Sequence, residues 1–415
     1  MKKAVFLSLL LVALLVALVF ALQFDDELDP EAILLVELTS PADESEAYLY
    51  SIGMHANENE DPVTVGQHVL EQYQARENDD THEIIHYSEN TKLPLPKDEL
   101  FCSSREEGCL ERLFSATQDE LEEAINAYPV LLKRLTKFYT LNDFATLTKP
   151  DIAEPIPDFQ YITRGEMLLV LSAIHAYKQG DTQAAIEILL KRFSDLRSAL
   201  VQQDTLIGRM VFIALLSHSL DVLSVITAEQ QLATVKLNTF NEEEKSLVTA
   251  FAREFVSGYY LYKKLDRHPE MLQENSDLPG WIGRAIYKPN VTINAALSRF
   301  KNIKHLNGLS ASELADKVEA GYGSYENTST ALSAKIRNPM GTILDGIAAP
   351  DYYDYLARIH NLNIKMMLLN HLPADYDQFK NPYYPNEGLT NDDGNICFRS
   401  PVKSKNSSFC LRTKL

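Results

Sequence analysis

Residues 182–202 read TQAAIEILLKRFSDLRSALVQ, and residues 206–226 read LIGRMVFIALLSHSLDVLSVI. In the first stretch Ile186, Leu189, Phe193, Leu196 and Leu200 are spaced three, four, three and four apart, the period of one buried helix face. The second stretch is apolar nearly all round. Its Arg209, His218 and Asp221 mark it as a buried core helix and not a membrane span. With one more helix before them, residues 164–228 predict three successive helices. That decides the fold class: all-α.

Working outward, helix-start signals recur. Thr117-Gln118-Asp119-Glu120 is a capping box, in which a hydroxyl and a carboxylate satisfy the free N–H groups of a first turn. Its helix is expected to run to about Tyr139, followed by a proline-bearing connection from Lys149 to Pro157. Asn241, with Glu242, Glu243 and Glu244 after it, starts another helix whose inward face holds Leu247, Phe251, Phe255 and Tyr259. Ser310 and Glu313 form a second capping box. Pro350 opens a helix to about Leu372, and Pro62 a short one over Val63 to Gln74. The tail from Pro373, rich in Asn, Pro, Gly and Tyr, reads as irregular. Ala173…Gly180-Asp181…Ala185 has the small-residue spacing of a tetratricopeptide unit, but the pattern does not return 34 residues on. The expected architecture is an irregular helical bundle or pseudo-repeat array. Its parts are an apolar leader (1–23), an acidic, partly irregular segment (24–108), a helical core (109–275) and a second helical part with an irregular tail (276–415).

The leader is Met1-Lys2-Lys3 followed by Ala4 to Leu22, in which Ser8 is the only polar residue. Nineteen residues of this character suffice to cross a hydrocarbon core as a helix. Lysines before it and Asp25-Asp26-Glu27 after it orient the N-terminus to the cytoplasm and the body outward. The reading is one N-terminal transmembrane helix in an inner membrane, with the body in the periplasm. Cleavage after Val19-Phe20-Ala21 is the alternative, and both readings export the body. Residues 23–125 hold 27 acids against 5 bases, which accounts for the net charge of −19. That charge excludes nucleic acid as a partner of this region and should hold it off anionic lipid.

Four cysteines fall in two close pairs, Cys102 with Cys109 and Cys397 with Cys410. In an exported body they are disulfide candidates. The pairing 102–109 and 397–410 is favoured because each bond staples a segment with little core. Bonds from Cys102 or Cys109 to the tail stay open. Neither spacing suits redox or zinc-knuckle chemistry.

The sharpest catalytic signal is His82-Glu83-Ile84-Ile85-His86. It resembles the zinc-peptidase signature, in which two His one turn apart hold the metal and the Glu acts on its water. Glu106 stands where a downstream Glu ligand would fall. The motif follows Asn78-Asp79-Asp80 and precedes Pro94 and Pro96, a poor setting for a rigid helix. His175 and His218 read as hydrogen-bonded core residues, Trp281 as a turn anchor, and Tyr352, Tyr353 and Tyr355 as helix face or rim. No phosphate loop, Gly-x-Ser-x-Gly elbow or Cys-x-x-Cys occurs. No cofactor or metal is called for, and no catalytic residue is assigned. The segments around Asp61-Pro62-Val63, Cys109-Leu110 and Asn338-Pro339-Met340-Gly341 resemble uncharacterised membrane-anchored proteins of Gram-negative bacteria. That resemblance implies an address and no activity. The expectation is a non-enzymatic envelope protein whose helical body binds or positions an unknown envelope protein. The alternative is a zinc-dependent envelope peptidase using His82, Glu83 and His86.

Overall fold

The computed structural model describes residues 24–77, 91–103, 106–231, 235–268, 286–321, 336–348, 352–372, 379–402 and 408–415, and the single positions Phe6, Leu10, Ala13 and Val16. The chain is mostly helical. In order, α1 spans Pro30–Leu38, α2 Glu46–Ile52, α3 Pro62–Glu77, α4 Cys109–Ser115, α5 Gln118–Asn126, α6 Pro129–Phe138, α7 Phe159–Lys178, α8 Thr182–Gln202 and α9 Leu206–Glu229. There follow α10 Glu242–Lys245, α11 Val248–Arg267, α12 Pro289–Leu306, α13 Ala311–Glu319, α14 Pro339–Ala348 and α15 Tyr352–Leu369. Among the described residues three short strands follow: β1 Thr390–Asp392, β2 Asn395–Arg399 and β3 Ser408–Leu411, antiparallel in the order β1-β2-β3.

The centre is the run α7-α8-α9. On α8 the five stripe residues Ile186, Leu189, Phe193, Leu196 and Leu200 are all buried. Each contributes roughly 1.5–3 kcal/mol by leaving water. The α7–α8 turn is fixed by Gly180 at φ 87°, a left-handed conformation that glycine adopts freely. Asp181 then caps α8 by accepting from Ala184 N at 2.9 Å. Ala173 and Ala185 are fully buried where the two helices meet, which explains the small residues there.

Helix α9 packs against α7, α8, α11 and α15. Its polar groups are held inside the protein. Arg209 donates to Gln203 O at 2.9 Å and Val201 O at 3.1 Å at the end of α8, and Asp221 accepts from Lys365 Nζ at 2.8 Å. Among the described residues α9 is the helix long and apolar enough to cross a membrane, and most of it is buried in the body. The span expected at the N-terminus finds no support among them. The four described leader positions are helical and exposed.

Several expectations are corrected. The helix from Thr117 does not run to Tyr139. It breaks at Ala127-Tyr128, and α6 restarts with Pro129 at its first position, because proline has no N–H to give and clashes with the preceding turn. The Asn241 helix is only α10, and the chain turns extended at Ser246 before α11. The acidic segment is partly core: Ala47, Tyr48, Tyr50, Ile52 and Met54 are buried. The tail read as irregular carries the three-stranded sheet. Its β1–β2 hairpin turns on Asp393 (φ 54°) and Gly394 (φ 86°), the two-residue Asp-Gly turn whose twist matches paired strands.

The cysteines stand at disulfide distance in two pairs, Cys102 with Cys109 and Cys397 with Cys410. The first closes the turn before α4. The second joins directly opposed positions of β2 and β3.

Candidate functional site

The connection between α6 and α7 contains Lys149-Pro150-Asp151-Ile152-Ala153-Glu154-Pro155-Ile156-Pro157. Three prolines restrict its backbone, and helix propensity is absent. Most polar side chains in such a loop would point to water, but here Glu154 points inward. Glu154 accepts from Arg253 Nη2 of α11 at 2.7 Å and from Thr148 Oγ1 at 3.0 Å. Tyr48 of α2 donates its hydroxyl to Pro155 O at 2.9 Å. Arg253 also lies 3.9 Å from Asp204, which itself accepts from Thr146 N at 3.0 Å and Thr146 Oγ1 at 2.6 Å. One guanidinium thus ties the proline loop to the α8–α9 turn.

With Glu154 turned in, the apolar side chains turn out. Ile152 is 66% exposed and Ile156 51%, and Ile207, three residues after Asp204, is 47% exposed. Burial raises the Glu154 carboxyl to about 7, partly offset by Arg253 and Thr148. A carboxyl tuned near neutrality is a general acid–base candidate only where a reacting group can reach it. Its oxygen is instead engaged by Arg253 and Thr148, so the arrangement acts as a strut. It presents two isoleucines to solvent on a loop fixed by these bonds.

A second feature is a groove of about 450 Å³ between α8 and the segment 236–244. Its charged lining is committed to the fold. Arg197 donates to both Glu244 oxygens at 2.5 and 2.6 Å and to Asn238 O at 2.5 Å, and it stacks over Phe240. Lys236 Nζ donates to Asn370 O. A third feature is buried outright. Arg192 pairs with Glu166 between α8 and α7, and Tyr139 donates to Glu166 Oε1 at 2.7 Å. Burial raises the Glu166 carboxyl, against the pull of Arg192.

Of the residues singled out in the sequence, His82 to His86 and Trp281 lie outside the described residues. Glu106 sits in the turn between Cys102 and Cys109 and accepts from Arg112 Nη2 at 2.7 Å, an ordinary surface pair. Among the described residues no three His, Cys, Asp or Glu side chains converge as a metal site would require. His175 is half-buried and meets Gln179 at 3.3 Å. His218 is buried, and its Nε2 has no hydrogen-bond partner among the described residues. Tyr352 packs edge-on against Phe251 at 4.7 Å, Tyr353 is buried, and Tyr355 faces Arg358.

Sequence reasoning missed Glu154, Arg253 and the two isoleucines. The signal was present in part, as three prolines and two isoleucines within eight residues. The inward partner on α11 is about a hundred positions away and leaves no local trace. No family model, curated protein or solved structure matches the chain.

Proposed function

We propose that the chain is a non-catalytic envelope protein. On this reading it is held in the inner membrane by residues 4–22, with its helical body in the periplasm, and it docks a protein partner through the loop at Ile152 and Ile156. The observation that carries the docking is the inverted loop itself, with its carboxylate locked inward on Arg253 and its isoleucines in water. The address rests on the apolar run after Lys2-Lys3, on the acids that follow it, and on two close cysteine pairs suited to an oxidising compartment.

A photo-crosslinking residue at 152 or 156 in living cells tests the docking reading. The expected result is the same light-dependent adduct from both positions and none from the exposed position 122. Absence of an adduct at 152 and 156, with the chain present in the membrane fraction, would sink it. The zinc-peptidase reading is tested by elemental analysis of the purified chain beside a His82→Ala/His86→Ala variant. We expect no stoichiometric zinc. About one zinc per chain, lost in the variant, would replace the binding proposal with a hydrolase.

A further inference from the structure

Helix α14 buries polar residues beside Leu344 and leaves two isoleucines exposed. Asn338, Gly341 and Asp345 face inward. Asn338 accepts from Lys288 N at 2.8 Å and donates to Thr292 Oγ1 at 2.8 Å, and Asp345 pairs with Arg299 of α12. A Cβ at Gly341 would collide with Thr292 and Asn338, so α14 lies tight on α12 by its polar side. Its outer side carries Ile343, 55% exposed, and Ile347, 78% exposed, one turn apart, with Ile336 exposed just before the helix. A surface helix of a soluble protein normally has the opposite arrangement.

The position of this face is what gives it an occupant. Residues 24–31 run as a strap along α12. Asp25 accepts from Asn290 N at 2.8 Å and Val291 N at 3.2 Å at the start of that helix. Asn294 donates to Glu27 O at 2.9 Å and accepts from Asp29 N at 2.9 Å. Lys301 pairs with Glu31 at 2.6 Å and Asp29 at 3.5 Å. Arg337, beside Ile336 and leading into α14, donates to Phe24 O at 3.2 Å and pairs with Asp26 at 2.8 Å. Phe24 is therefore fixed at the head of α14. The apolar run ends at Leu22, two residues away, a reach of at most about 7 Å. From the strap the chain enters α1, where Leu34 and Leu38, one turn apart, and Ile33 are also exposed.

Repulsion from anionic headgroups is reduced at this spot. Of the six acids between residues 24 and 38, Asp25 caps a helix N-terminus, and Asp26, Asp29 and Glu31 pair with Arg337 and Lys301. The stand-off expected from composition assumed these acids to be free.

We propose that α14 and α1 form a membrane-contact face, with Ile336, Ile343, Ile347, Leu34 and Leu38 lying in the headgroup–acyl boundary beside the anchor. The body is then held against the bilayer, in the manner of an interfacial helix, and does not swing on a tether. This rests on the anchored reading proposed above.

The test uses the full chain in phosphatidylethanolamine–phosphatidylglycerol vesicles. Nitroxide labels are placed through Ile343→Cys, Ile347→Cys or Leu38→Cys, with Glu122→Cys as a control. The four native cysteines are paired, so the introduced thiol takes the label. Retention on the vesicles through an alkaline wash reports the anchor, and collision with oxygen or with a water-soluble nickel chelate reports the face. Retention, with the three labels favouring oxygen several-fold more than the control, supports the proposal. Retention with labels that behave like the control sinks the membrane face and leaves the anchor standing. Labels shielded from both reagents mean that protein, a second copy included, covers the face, and overturn the proposal. Release by the wash ends the anchored reading and this inference with it.

Discussion

Arg134 shows how one side chain can organise a segment. From α6 its guanidinium donates to Met54 O at 3.1 Å, Ala56 O, Asn57 O at 2.7 Å and Glu60 O at 3.1 Å, so it closes the turn between α2 and α3. Lysine lacks the planar fork and cannot satisfy four carbonyls at once. Arg134→Lys is expected to lower unfolding stability by about 2 kcal/mol, read as a lower urea midpoint at unchanged slope. An unchanged midpoint would show that water replaces the fork without loss. His218 makes a separate prediction about pH. Burial, with the charges of Arg192 and Lys365, pushes its pKa down to about 3. Unfolded, it titrates near 6.5, so the unfolded state binds more protons between those values. Its stabilising contribution is complete above pH 6.5 and is lost as pH falls towards 3. Between pH 7 and pH 5 the loss is about 2 kcal/mol. His218→Gln should fall less steeply over that interval in urea titrations at the two pH values. Identical slopes for both chains would place the titration elsewhere.

Helices in this protein start where the sequence says and stop where tertiary contacts allow. Thr117 and Ser310 each form the expected capping box with the Glu three residues on, and Asn241, expected as a cap, forms one with Glu244. These are contacts within one turn, which is why they are legible. The stripe on α8 is legible for the same reason, since its period is local. The break at Pro129 was readable from proline chemistry, and the Asp393-Gly394 hairpin from turn chemistry, but amphipathic periodicity finds neither. The small sheet buries Ile396, Phe398 and Leu411, and its disulfide adds a cross-link between β2 and β3. Cys397→Ser/Cys410→Ser should cost roughly 3 kcal/mol in the loop-entropy picture. Hydrogen exchange should speed up at residues 395–399 and 408–411 and stay slow in α8. Equal exchange in both chains would show that packing of Ile396, Phe398 and Leu411 holds the sheet without the bond.

Among the described residues most buried apolar side chains form one cluster reaching from Ala32 to Leu411. A continuous core predicts that the parts 109–275 and 276–415 unfold together. Circular dichroism and hydrogen exchange in urea should report one transition with one midpoint. Two separated midpoints would mean that the parts are independent folding units. At this scale the polar interior also matters. Glu166–Arg192 and Asp345–Arg299 each bridge two helices, and Glu154–Arg253 ties a loop to a helix. Such pairs hold the relative placement of elements more than they add to stability, since burying each charge costs nearly what the pairing returns.

The sequence by itself determined the helical class, the caps, the α8 stripe and the core character of α9, and it favoured the short-range cysteine pairing. All depend on residues within a few turns or a short loop of one another, where period and propensity act directly. Tertiary structure alone decided which charges are neutralised, which loop turns its carboxylate inward, and that α14 presents isoleucine outward. Those outcomes depend on partners that approach only when the chain is folded, such as Arg253 on Glu154, Arg299 on Asp345 and Arg337 on Asp26. Composition counts such residues as solvent-facing charge, whereas folding makes them struts and leaves the apolar side chains beside them at the surface.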